Sequence, residues 1–503
     1  MTNPLFDALL APRAGDARPF LIPPEGPALS QDAFLDETAK AANALAALGA
    51  RPGDRVVAQV EKSPAALALY GGCLRSGVVF CPLNTAYTPA ETAYFIGDAE
   101  PALVVADPAA APALREDADA AGARIETLDA AGAGTFADAM AAAAVRHAPT
   151  PRLEDDLAAI LYTSGTTGRS KGAMLTHRNL LSNAEALAEA WRFTARDVLL
   201  HALPIFHAHG LFVAVNVTLV AGGALLFLPR FDAGAVVAAL PRATAMMGVP
   251  TFYTRLLARE DFTRDAAAHL RLFVSGSAPL LPETHDAFAA RTGHRILERY
   301  GMTETGMNAS NPYDGHRRAG SVGPALPGVE LRVADPETGR VLGPGEIGVL
   351  EVRGPNVFKG YWRMPDKTAE EFRTDGFFVT GDLATIGADG YVEIVGRAKD
   401  LVITGGFNVY PREVEAAIDA LPGVAESAVI GVPHPDFGEA VLAVAAPEAG
   451  AAPREADILD ALGDLAKFKR PKRVVFVEAL PRNAMGKVQK AELRRIYADA
   501  FAD

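Results

Sequence analysis

The chain has 503 residues, half of them hydrophobic, and a formal charge of −13; that length can bury more than one core, and the acidic balance argues against nucleic acid as the primary partner. Its two cysteines, Cys73 and Cys81, lie in apolar surroundings and imply buried thiols, not a disulfide framework or a metal site. No basic-then-apolar leader and no apolar run long enough for a bilayer is present, which predicts a cytoplasmic protein without a membrane partner.

In chain order, 36–48 reads as a helix, 54–59 as a strand, 64–76 as a helix and 78–82 as a strand, with 103–105 as a further short strand. The alanine-rich stretch 109–144 reads as peripheral helices and loops around a short strand at 124–126, because alanine favours helix. An apolar run at 157–162 reads as a buried strand, and α/β units continue through 224–228, 245–248 and 270–275. Beyond about residue 329 glycines become frequent and strands short, as at 346–352 and 391–395, which predicts a smaller β-rich subdomain. Residues 396–406 read as a junction, followed by helix 411–420, strand 426–432, helix 458–465 and strand 473–477. The alternation predicts an α/β fold: a large N-terminal domain of stacked α/β sheet subdomains plus a β-rich one, and a small α+β C-terminal domain.

Chemistry concentrates first after the strand at 157–162. Thr163, Ser164, Gly165, Thr166, Thr167, Gly168 and Lys171 combine flexible glycines, hydroxyl donors and one mobile cation. Such a loop can turn several backbone N–H groups on one anion, as a polyphosphate cradle does. It is not the common P-loop, since Lys171 comes three residues after Gly168 and no Gly-Lys-Ser/Thr opens a helix; an ordinary solvent loop has the same composition. Arg299, Tyr300, Gly301, Met302, Thr303 and Glu304 form a second group, in which a tyrosine can stack on a purine and a glutamate can hold magnesium, or which is a turn at a strand end. Asp382, after Thr380 and Gly381, can accept ribose hydroxyls or cap a turn. Arg397 begins the junction, and Lys487 follows Gly486 on a turn where a lysine is ordinarily solvated.

Taken in order, Tyr162–Gly172, Leu203–His207, Tyr300–Thr305, Thr380–Leu383, Gly396–Pro411 and Pro481–Lys487 resemble the adenylate-forming superfamily of acyl-CoA synthetases, peptide-synthetase adenylation domains and firefly luciferase. The resemblance implies an N-terminal ATP- and acid-binding domain, 1–398, and a mobile C-terminal domain, 399–503, that carries a catalytic lysine, Lys487. It implies that Thr163–Lys171 hold the ATP phosphates and that Thr163 and Glu304 support Mg2+. It places Ser277, Ala278, Glu298, Arg299, Tyr300 and Thr303 around the nucleotide, with Asp382 and Arg397 on the ribose. Lys399 occupies the hinge position, where many relatives carry Asp, and Gly405, Gly406 and Phe407 lie near the coenzyme A pantetheine in a second conformation. It also makes Lys487 a target for a protein acetyltransferase and deacetylase, since acetylation removes its charge.

The acid is read from polar residues in the expected acyl segments. Arg255 stands one helical turn beyond Thr251, on the same face. With His207, Ser277 and Met307 it makes a candidate lining, and a substrate with a second carboxylate would pair it; a surface ion pair with Glu260 or Asp261 is the competing explanation. Segments 200–210, 248–257, 275–280, 300–314 and 354–362 resemble the malonyl-CoA and methylmalonyl-CoA synthetases, with a departure at Ala208, where those relatives often carry Thr. The expected reaction joins malonate and/or methylmalonate to coenzyme A through an acyl-adenylate, releasing AMP and diphosphate. Ligation of a short or aromatic monoacid, or loading of a carrier protein, are the alternatives.

Overall fold

A computed structural model describes residues 2–163, 170–404, 407–483 and 486–501. It divides into two compact units: Met1–Ala319 with Gly323–Glu330 and Val352–Phe378, and Gly320–Val322 with Leu331–Glu351 and Val379–Asp503.

The first unit holds two sheets. One runs Arg124–Thr127, Leu103–Ala106, Arg55–Gln59, Val79–Pro82, Leu157–Thr163, Lys171–Thr176; neighbours are parallel until the last pair, which is antiparallel. The runs Val56–Ala58 and Leu103–Ala106 are wholly buried, as strands covered on both faces must be. Helix Pro64–Ser76 was readable to the residue because its ends are chemically marked. The Ser63 hydroxyl accepts from the Ala66 N–H, Pro64 opens the first turn, and Gly77 closes the helix at φ 70°. The helix expected at 36–48 starts earlier, at Gln31, where the Ser30 hydroxyl caps it. The alanine-rich stretch folds as Ala111–Ala120, the strand Arg124–Thr127 and Thr135–Ala141. Cys73 and Cys81 are both buried free thiols.

The second sheet runs Gly306–Ser310, Leu297–Met302, Leu272–Ser275, Ala245–Gly248, Val198–His201, Ala224–Phe227, Pro19–Ile22, Leu29–Ser30, parallel through its middle and antiparallel at both edges. Register pairs Met247 with His201, Gly248 with Ser275, and Ser275 with Glu298, so three strands end together beside the start of Leu297–Met302. The crevice beyond the carboxyl ends of parallel strands is where α/β sheets take ligands. Tyr253, Phe262, Phe273 and Phe288 pack edge-on and tilted beneath it.

The second unit contains the body of a four-stranded sheet, in the order Glu330–Ala334, Gly348–Arg353, Phe378–Ile386, Val392–Arg397. It also contains a five-stranded sheet built on the long hairpin Val424–His434 and Gly438–Pro447, covered by helices Pro411–Asp419 and Glu455–Ala461 over Val402, Val414, Ile418 and Val441. The helix expected at 458–465 begins at Glu455 and tightens after Ala461 into a 3-10 turn, Leu462–Asp464. Among the described residues, no helix is long and apolar enough to cross a membrane.

Candidate active site

Three groups of predicted residues are brought together, two in the first unit and one in the second. The first surrounds Lys171, which begins the return strand of the Leu157–Thr163/Lys171–Thr176 hairpin and pairs in register with Thr163. Its ammonium lies 3.0 Å from the Glu371 carboxylate and 3.9 Å from the Tyr361 ring centre. The Tyr361 hydroxyl lies 2.7 Å from Glu371 and 3.2 Å from Glu304, and the Thr163 hydroxyl donates to Glu304 over 3.3 Å. Burial pushes the Glu371 carboxyl up, but Tyr361 and Lys171 outweigh it and hold the group below its ordinary value. Ser164, Gly165, Thr166, Thr167 and Gly168 lie outside the described residues.

The donor set around Glu304 fits magnesium. Mg2+ takes hard oxygens from one or two carboxylates and completes its shell with phosphate and water. A buried Glu304 with the Thr163 hydroxyl beside it supplies that kind of oxygen, and no cluster of three or more His, Cys, Asp or Glu exists among the described residues to hold a metal without substrate.

The second group lies at the carboxyl ends of the parallel strands. Arg299 is buried, and its Nε and Nη2 have no hydrogen-bond partner. The guanidinium lies flat against Gly276, where an added Cβ would sit 2.4 Å from Cζ. Burial pushes Arg299 down to about 9, which leaves it cationic at neutral pH. Beside it, burial and then the Arg299 charge push His207 down to about 4 and His209 well below its usual range, so both imidazoles are neutral. The Ser277 hydroxyl meets His209 Nδ1 at 3.2 Å, a contact in which either group can be the donor. His209 Nε2 and the Ser275 hydroxyl are also buried without partners. Ser277 itself takes φ 72°, a left-handed conformation that is costly for a non-glycine residue and clusters at functional sites.

Unpaired buried donors at one spot cost free energy unless something accepts from them. Here the cation is the Arg299 guanidinium, with unpartnered Nε and Nη2 donors that suit a carboxylate. Ala208, between the two histidines, lines a small cavity of about 20 Å³ with Leu175, Leu180, Phe212 and Thr303. Met307 is buried, and its backbone is held by Asn183 through both its N–H and its C=O. Arg255 lies elsewhere, on the exposed side of helix Pro250–Leu257, and Thr251 on its face is only half-buried. Glu298 is buried and accepts from the Leu280 N–H, while Ala278, Tyr300 and Thr303 are half-buried.

The third group belongs to the second unit. Arg397 Nε lies 2.7 Å from the buried Asp382 carboxylate, across adjacent strands in register. Lys487 as a whole is exposed, but its ammonium is crowded by protein. Burial first, then Arg397, push it down to about 8, against Asp382 and Asp400, which favour the charge. Lys399 lies in the 3-10 turn Ala398–Asp400 and is lowered by burial and Arg397. Asp400 in turn pairs with Arg494 at 2.5 Å. Phe407 is exposed and stacks on Phe468 with ring centres 4.7 Å apart; Gly405 and Gly406 lie outside the described residues.

Glu371 and Tyr361 were not among the expected site residues. Glu371 stands 200 positions from Lys171, and a glutamate on a short charged helix carries no local mark of such a partner. Arg299 was expected beside the nucleotide; its burial among the histidines was not legible from spacing.

Residues 13–362 match the AMP-binding enzyme family, and 413–487 match the AMP-binding enzyme C-terminal domain. A malonate–CoA ligase of Arabidopsis thaliana is 36% identical over 487 residues, covering 89% of this chain and 78% of its own length. A feruloyl-CoA synthase of Amycolatopsis is 37% identical over 481 residues, covering 94% of each. The crystal structure of ATP-bound MatB from Rhodopseudomonas palustris superposes with a TM-score of 0.98 at 57% identity, covering 100% of both chains.

Proposed function

The chain belongs to the AMP-binding enzymes, and from that premise we propose that it ligates malonate and methylmalonate to coenzyme A through an acyl-adenylate, consuming ATP. The malonate and feruloyl relatives named above are equally similar overall, and the MatB structure is more similar than either, at 57% identity. The buried, unpaired guanidinium of Arg299 carries the choice. A monoacid would leave it unpaired, whereas a diacid places its distal carboxylate there. The exposed position of Arg255 favours Arg299 as the gripping residue.

In the first half-reaction an oxygen of the other carboxylate attacks the α-phosphorus of ATP. The bond to the β-phosphate oxygen breaks, and diphosphate leaves. Lys171, with Ser164, Gly165, Thr166, Thr167 and Gly168, holds the departing phosphates. Ser277, Ala278, Glu298, Tyr300 and Thr303 hold the nucleotide base, and Asp382 with Arg397 the ribose. Thr163 and Glu304 would hold Mg2+, which would neutralise phosphate charge. Neutral His207 shapes the reacting end without competing for the anion. Lys487 supplies a compact positive charge to the carboxylate and α-phosphate as they meet. In the second half-reaction sulfur attacks the acyl carbon, the bond to AMP breaks, and the thiol proton passes to solvent. Gly405, Gly406 and Phe407 line the thiol route, and the 1–398/399–503 division with Lys399 as hinge withdraws Lys487 for this step. A cytoplasmic location and control of Lys487 by an acetyltransferase and deacetylase belong to the same proposal.

The test is exchange of labelled diphosphate into ATP with malonate, methylmalonate, acetate, butyrate and benzoate, with the thioester product weighed by mass spectrometry. Malonate or methylmalonate should lead. Arg299→Lys should cost the diacids about 1.5–3 kcal/mol, ten- to hundredfold in kcat/KM, and cost butyrate little. A wild-type preference for any monoacid defeats the proposal.

A further inference from the structure

Lys171 is paired with a carboxylate of its own chain. Its ammonium rests 3.0 Å from Glu371, with only 9% of the lysine side chain and 21% of the glutamate side chain exposed. The Tyr361 ring faces the ammonium at 3.9 Å, and the Tyr361 hydroxyl fixes the other Glu371 oxygen at 2.7 Å. Glu371 therefore presents one oxygen to the lysine as a phosphate oxygen would. It also has support that does not depend on Lys171: Lys367 lies 3.3 Å away, one helical turn earlier, and Tyr361 stays on its far oxygen. Lys171 can turn to an incoming phosphate without leaving Glu371 as a bare buried anion, which would be costly.

We propose that Glu371 is a positioning residue that holds the Lys171 ammonium in the place of a phosphate oxygen while the nucleotide site is empty, and takes it back when diphosphate leaves. The proposal rests on the reading of Lys171 as a phosphate-binding group. Its consequence is a competition: each phosphate must displace a carboxylate from the same ammonium. The site stays ordered between turnovers, and diphosphate binds less tightly than an unopposed lysine would allow.

Calorimetric affinities for magnesium diphosphate and magnesium ATP, with KM and kcat for ATP, test this in the full chain. Glu371→Gln keeps the shape of the side chain and removes its charge. Diphosphate affinity should rise about tenfold, the scale of one charge a few ångströms away at partial exposure. KM for ATP and kcat should fall together as release slows. In a Lys171→Met background the same substitution should change diphosphate affinity less than about twofold. Unchanged or weaker diphosphate binding in Glu371→Gln overturns the proposal, and so does an equal gain in the Lys171→Met background, which would show long-range repulsion in place of exchange at the lysine. If Glu371→Gln melts early, Glu371→Met, of similar length and without charge, carries the same test with the same expected rise. If the wild type exchanges no diphosphate into ATP with any acid, the ligase reading fails; if the wild type exchanges normally and the variants bind diphosphate as it does, only the role of Glu371 fails.

Discussion

In the proposed acid pocket, Ala208 would be a single side chain that sets tolerance. It is buried between His207 and His209 and opens on a cavity of about 20 Å³, room for roughly one water-sized group. A threonine there adds a methyl and a hydroxyl and fills that space. Ala208→Thr should therefore disfavour methylmalonate relative to malonate by about 1–3 kcal/mol, the worth of one methyl in a pocket. A competition assay with both acids, read as the ratio of thioester masses, checks it; an unchanged ratio would detach this cavity from the acid. The residue types of this pocket were readable along the chain, but their pairing was not. His207 and Ser277 were visible as polar positions in expected acyl segments, whereas the guanidinium that lacks a partner became evident only once burial removed water from Arg299.

The π-helical turn His209–Val215 begins at His209, two residues after His207, and its geometry has a specific support. Lys62 is buried and lies 2.7 Å from His201 Nδ1 and 2.8 Å from the His201 carbonyl, over the Phe227 ring at 4.4 Å. His201 Nε2 then donates to the Gly210 carbonyl over 2.8 Å, a direction set by Lys62 donating to the other ring nitrogen. Gly210 passes so close to Pro204 that a Cβ would sit 1.9 Å from its carbonyl oxygen. That contact is with backbone and cannot be relieved by rotating a side chain. Gly210→Ala should cost about 1–3 kcal/mol of stability and raise KM for malonate, with diphosphate affinity unchanged because Lys171 lies on another sheet. Urea unfolding and calorimetry measure the two effects; unaltered malonate kinetics would show that the turn does not position the acid site. Elements with marked ends, such as Pro64–Ser76 and Ala245–Gly248, were legible in full. The π-helical turn was not, because its distinguishing hydrogen bonds leave no pattern in hydrophobic spacing.

The molecule as a whole carries a charge of −13 yet must attract ATP and coenzyme A, so its function depends on a few cations held in particular places. Lys487 is one whose protonation is brought near neutral pH. With its pKa lowered from 10.5 to about 8, the cation prevails below that pH and is lost as pH rises through it. Adenylate formation should accordingly decline above about pH 8, while thioester formation from supplied malonyl-adenylate should lack that limb. Lys487→Ala should abolish the first half-reaction and leave the second largely intact; equal losses in both would refute a lysine that serves one step only. The order of motifs, the capped helices and the apolar runs are properties of neighbouring residues, so reading along the chain already yielded the family, the α/β class and most elements. Partnerships such as Thr163 with Glu304, 141 positions apart, and Lys171 with Glu371, 200 apart, follow from which strands lie side by side and which groups lose their water. Long-range pairing and desolvation are cooperative outcomes of packing, and no local spacing encodes them.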